Sequence, residues 1–145
     1  MALTDTIPSD DEHVRPDGVD DKTIAALGKV SEMLETIERA RGHLYEFHQL
    51  IGHADLGFDR AVELLREAGL DAEADELQAE IIGRNVQPGK WSFQMVEGFN
   101  DTYYSVVKAY EQKLRDTHLQ GRRHIFESEM KEKRRSHGRP GHEAR

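Results

Sequence analysis

Arg41 and His48 carry the most exacting chemical demand in this sequence. They follow Leu27 and Leu34 at steps of seven, so a guanidinium and an imidazole fall on the apolar side of a helical repeat. Burying either group without a partner is costly, so each requires a hydrogen-bonding or charged neighbour. Further along, Glu97, Asp101 and Tyr104 step by four and three, which places them on one side of a second helix. If the two helices face each other, one layer of the core holds Arg41, His48, Glu97, Asp101 and Tyr104. Two chemistries fit that layer. The first is a buried network of salt bridges and hydrogen bonds that fixes helix register. The second is a transition-metal site, with His48, Glu97 and Asp101 as ligands and Arg41 and Tyr104 supporting them. Iron, manganese and zinc are the ions such donors suit.

A second set lies on the opposite side of the first helix. His43, Glu46 and His53 fall within about 80° of one another at 100° per residue, with Asp55 just beyond. Two imidazoles and two carboxylates are again metal-ligand chemistry. The spacing His-x-x-Glu occurs at His43/Glu46 and at His124/Glu127. Eight His and sixteen Glu in 145 residues produce it about once by chance, so the spacing alone carries little. Carboxylate-bridged di-metal bundles use Glu-x-x-His on two helices, and no such pair occurs in this chain. A comparison with ferritin-like or haemerythrin-like bundles is therefore one of fold class alone.

Other chemistries find less footing. The chain has no cysteine, which excludes disulfides, thiolate metal sites and cysteine nucleophiles. The serines lack a glycine-rich elbow, and no phosphate-binding glycine loop is present. Net charge is −8, which opposes general nucleic-acid binding. The charge is uneven, however. Residues 1–21 hold seven acids and one base, whereas residues 122–145 hold eight bases and four acids. Arg122, Arg123, Lys131, Lys133, Arg134 and Arg135 form a basic end suited to phosphate, RNA or an acidic partner. The simpler expectation is that this end is solvated or neutralises the acidic one.

The elements that must position these residues are helical. Apolar residues from Ile24 through Leu34, Leu44 and Ile51 recur at steps of three and four, predicting a helix from about Asp21 to His53 with Asp20 or Asp21 as its cap. Shorter helices are expected over Leu56–Ala68, and from Asp71 to Gly83 with Asp71 as cap. Pro88-Gly89 fits a type II turn. Ser92 is then expected to cap a long helix reaching Met130, with Trp91 and Phe93 as an apolar lid on the bundle end.

The fold class expected is all-α: two long antiparallel helices plus two short ones, forming a small bundle with disordered polar tails. The organisation is an acidic tail over 1–20, a helical domain over 21–130 and a basic tail over 131–145. Equal rise along the two long helices places His48 near Glu97, Arg41 near Tyr104 and Leu34 near Glu111 or Tyr110. The stripe Leu27, Val30, Leu34, Tyr110 and Leu114 is left facing water at one end, which predicts a protein partner or a homodimer there. No apolar run spans a membrane and no signal peptide is seen, so a cytoplasmic location is expected. The leading functional expectation is a helical-bundle interaction or scaffold protein without catalysis. The alternatives are a His/carboxylate metal-binding bundle and, more weakly, an RNA- or ribosome-associated protein acting through the basic end.

Overall fold

The computed structural model describes residues 11–143, and the fold is all-α. A short 3₁₀ turn at Asp11–His13 precedes helix α1 (Asp21–Glu67). Helices α2 (Asp71–Glu80), α3 (Ser92–Phe99), α4 (Ser105–Leu119) and α5 (Ile125–Arg134) follow. A π-helical turn at Asn100–Tyr104 joins α3 to α4. The chain divides into two compact units. One comprises the two ends of the chain, up to Glu35 and from Val107; the other is Thr36–Val106. Among the described residues, no helix is long and apolar enough to cross a membrane.

Helix α1 is longer than its sequence pattern suggests. It does not stop at His53 but continues without interruption to Glu67. Gly52 and Gly57 each cost about 1 kcal/mol relative to Ala, too little to break a helix whose seam continues. Ile51, Asp55, Phe58, Val62 and Leu65 keep the steps of four and three and are all half-buried. The stop comes at Gly69, which takes φ +76° and lets the Leu70 N–H bond the Leu65 carbonyl at 2.8 Å. At the start of α1 the Asp20 carboxylate accepts the Thr23 N–H at 2.8 Å, as an N-cap should. Hydrogen bonds from Thr23, side chain first and then backbone, hold the Asp20 carboxyl below its ordinary range. A depressed folded-state pKa gives stability that is present above the ordinary aspartate range and lost as pH falls through the folded value. Acid titration of the wild type and Asp20→Asn, followed by amide exchange in the first turn of α1, should show that turn fraying in the wild type only at the acidic end. Asn also caps well, so its variant should lack this pH dependence.

In the unit Thr36–Val106, α1 packs antiparallel to α3 and the π turn. Glu38 meets Tyr104, Arg41 meets Asn100 and His48 meets Ser92. Helix α2 returns against α1, with Ala74 fully buried and Arg66 bonded to Asp75 at 2.8 Å. Asp71 is its first residue rather than its cap; Leu70 occupies the cap position without a side-chain bond. The Pro88-Gly89 turn forms with Gly89 at φ +72° and Lys90 N–H bonding the Gln87 carbonyl at 3.0 Å. Ser92 does not cap α3. Trp91 holds the cap position, and its N–H donates to the Gln94 side chain at 2.8 Å. Nor do Trp91 and Phe93 form a buried lid, since both side chains are exposed.

The other unit is built on Ile24, Leu119 and Ile125, with Val19 and Leu27 packed around them. The long final helix expected to run to Met130 ends instead at Leu119. Gln120, Gly121 and His124 all take positive φ, and Gly121 N–H closes back on the Arg115 carbonyl at 3.0 Å. The chain can therefore turn and lay α5 over the start of α1, where Phe126 approaches Gly28. That placement alters the expected open end: Leu34 is buried, Leu27, Val30 and Leu114 are half-buried, and only Tyr110 stays exposed. Helix α5 also carries the chain through Lys131–Arg134, within the expected basic tail.

Of the expected acidic tail, residues 1–10 lie outside the described residues. The rest is held by charge: Arg15 donates to both oxygens of Glu129 at 2.9 Å and to Asp21 at 2.7 Å. These carboxylates raise the Arg15 guanidinium above its already high ordinary value. Arg122 donates to the Val14 carbonyl at 2.7 Å. The single base of the acidic segment thus pairs with an acid of the basic segment.

Candidate functional site

Polar and aromatic groups surround Arg41, and of the expected layer only Tyr104 is among them. The Arg41 guanidinium lies 4.4 Å from the centroid of the Tyr104 ring and 5.3 Å from that of Tyr45. Its Nε donates to Asn100 Oδ1 at 2.7 Å, and Asn100 Nδ2 donates to the Tyr45 hydroxyl at 3.0 Å. The Tyr104 hydroxyl donates to Glu38 at 3.3 Å. Aromatic faces and an amide oxygen therefore receive this cation. His48 Nδ1 lies 2.8 Å from the buried Ser92 hydroxyl.

Glu97 and Asp101 are exposed, and they do not come together with His48 among the described residues. The phase of the helix is the physical reason. The residues that α3 and the π turn present to α1 are Ser92, Val96, Asn100 and Tyr104, each four after the last. Steps of four drift around a regular α-helix and stay in line only where the turn is widened. Here the Ser105 N–H reaches the Asn100 carbonyl, five residues back. Glu97 and Asp101 follow one residue later and point elsewhere.

The second set is dispersed. His43, Glu46 and His53 are exposed. The Asp55 carboxylate accepts the Gly83 N–H at 2.8 Å, which secures the loop after α2. At the basic end, Arg135 is bonded to Glu132 at 2.6 and 3.0 Å and to the His142 carbonyl at 3.1 Å. Arg135 holds the Glu132 carboxyl below the usual carboxylate range. Arg123, Lys131, Lys133 and Arg134 are exposed. A cleft of about 320 Å³ runs between Met130, Arg134, Arg135 and His142.

Two features had little signal in the sequence. The first is a second stripe on α1, beside the seam that packs internally. Phe47, Leu50, Ala54, Gly57, Ala61 and Leu64 step by three and four throughout. All are exposed except Ala61, which is half-buried; Leu50 is 59% exposed and Leu64 49%. A methyl group built at Gly57 meets nothing within 4 Å. The second is a group of metal-ligand side chains in the unit formed by the chain ends. Ligand atoms of Glu35, His124 and Glu127 lie within 4.8 Å of one another, and all three residues are exposed. The His13 ring centroid lies 6.3 Å from that of His124. The His124/Glu127 spacing is visible in the sequence, but the approach of Glu35 depends on the left-handed residues that turn the chain into α5.

Fold and side chains together define a small all-α bundle protein with an exposed heptad face. No protein-family profile, curated protein or solved structure matches this chain.

Proposed function

We propose that this protein is a non-catalytic interaction module that pairs with a second copy of itself along the exposed stripe of α1. The observation that carries this reading is the stripe from Phe47 to Leu64, apolar at heptad spacing and open to solvent. A repeat of 3.5 residues is the spacing by which one helix packs along another. Phe47, Leu50 and Leu64 are exposed along one face of α1, and contiguous exposed apolar surface marks an interaction site.

The sizes along the stripe favour self-pairing. Read antiparallel, Phe47 meets Leu64, Leu50 meets Ala61, and Ala54 meets Gly57 of the second copy. Large residues then oppose small ones near a two-fold axis, as an isologous interface requires. Gly57 has no internal neighbour that demands glycine, and a close helix–helix approach would use one.

The cysteine-free chain offers a clean test. The double variant Leu50→Cys/Ala61→Cys should form a covalent dimer on mild oxidation, because the two positions oppose each other across the two-fold. Either single variant should remain uncrosslinked. Crosslinking by the singles would indicate a parallel arrangement, and no crosslinking by the double variant would remove the interface. The metal reading at His48 has less support, since Ser92 occupies its Nδ1. The RNA reading also has less, since Arg122 and Arg135 are engaged by acceptors of the protein itself.

A further inference from the structure

We propose that Glu35, His124 and Glu127, with His13 as fourth donor, form a site for one divalent transition-metal ion of the zinc class. Glu35 of α1 meets His124 and Glu127 at the start of α5, and the 3₁₀ turn brings the His13 ring beside that of His124. Glu127 has a reason of its own to sit in the first turn of α5, where the helix dipole favours an acid. Glu35 has no such reason, and it adds a second carboxylate beside the first. An imidazole and a cation between two carboxylates relieve that repulsion.

The distances suit a tetrahedral ion after small side-chain movements. Nitrogen and oxygen ligands at about 2.1 Å from zinc stand about 3.4 Å apart. His124 Nδ1 and Glu127 Oε2 are 4.0 Å apart, and ligand atoms of Glu35, His124 and Glu127 all lie within 4.8 Å of one another. Both glutamates are exposed and can close the difference by rotating. Two imidazoles on one tetrahedral ion have ring centroids about 5 Å apart, and His13 and His124 stand at 6.3 Å. Imidazole nitrogen among the donors selects zinc, cobalt or nickel over magnesium and calcium. Metal binding requires the neutral form of each imidazole donor. Bound metal would pin the 3₁₀ turn and α5 to α1.

The test uses the full chain without an affinity tag, stripped with chelator and titrated with zinc chloride by calorimetry and equilibrium dialysis. One zinc per chain is expected, and cobalt should give the intense visible absorption of a four-coordinate ion. His124→Asn is the first variant, because asparagine tolerates the φ of +55° found there. Glu35→Gln is the second, a change on an exposed surface that leaves the fold alone. Each should weaken zinc binding about tenfold or more, whereas His43→Ala should leave it unchanged. Failure of the wild type to bind zinc stoichiometrically would overturn the site. So would unchanged affinity in Glu35→Gln, or loss of binding in His43→Ala.

Discussion

Glu111→Ala should destabilise the protein by about 3–5 kcal/mol, the range seen when one partner of a buried ion pair is removed. Glu111 is only 6% exposed, on α4, and is the only charged residue fully buried among the described ones. It accepts from Ser31 Oγ at 2.9 Å and from Arg115 Nε at 2.7 Å. Removing it leaves a desolvated guanidinium whose remaining acceptors are the Gly121 carbonyl and Gln112. Arg115 also braces the turn that leads into α5, so its displacement should spread to that helix. Thermal melting should fall on the order of 10 °C or more. The double variant Glu111→Leu/Arg115→Met should recover most of the loss, because apolar residues of similar volume satisfy each other. A Glu111→Ala protein within 1 kcal/mol of wild type would mean that the pair is effectively solvated.

Ile125→Ala should cost about 2–5 kcal/mol, as expected for truncating a buried aliphatic side chain. Ile125 is 3% exposed and forms one cluster with Ile24 and Leu119. The cluster is small, so neighbours have little scope to fill the void. The loss should be local in character: amide exchange should rise in α5 and in residues 11–20, which Arg15 ties to α5. Amides of α2 and α3, in the other unit, should keep their protection. A stability change below 1 kcal/mol would show that α5 is not held by this contact.

The sequence was most legible where a helical period ran without interruption. The all-α fold, the cap at Asp20, the stop at Gly69 and the turn at Pro88-Gly89 all follow from residue type and spacing. The antiparallel facing of the two long helical segments was also legible, with Arg41 against Tyr104. The register was not. It rested on a helix end at His53, whereas α1 continues and His48 rather than His53 stands level with Ser92.

The π turn has no signature in residue spacing, because it is a property of the backbone. It keeps Tyr104 in line with Ser92, Val96 and Asn100, and Glu97 and Asp101 fall one position off that seam. The break after Leu119 was equally hidden. Gln120 and His124 adopt positive φ without being glycine, and only Gly121 hints at a turn. Everything that depends on α5 was beyond reach for that reason, from the covered end of α1 to the meeting of Glu35 with His124 and Glu127. The exposed stripe was present in the sequence as a heptad. Its small residues, Ala54, Gly57 and Ala61, gave little hydrophobic weight to set it apart from the seam beside it.

Self-pairing along that stripe is tested most directly by sedimentation equilibrium of the full chain and its Leu50→Glu variant at tens of micromolar. Leu50 is exposed, so the substitution leaves the fold of the single chain intact. The wild type should sediment at twice the chain mass of 16.6 kDa and the variant at the chain mass itself. A wild type that sediments at 16.6 kDa, or a Leu50→Glu variant that remains a dimer, would contradict an interface built on Phe47, Leu50 and Leu64.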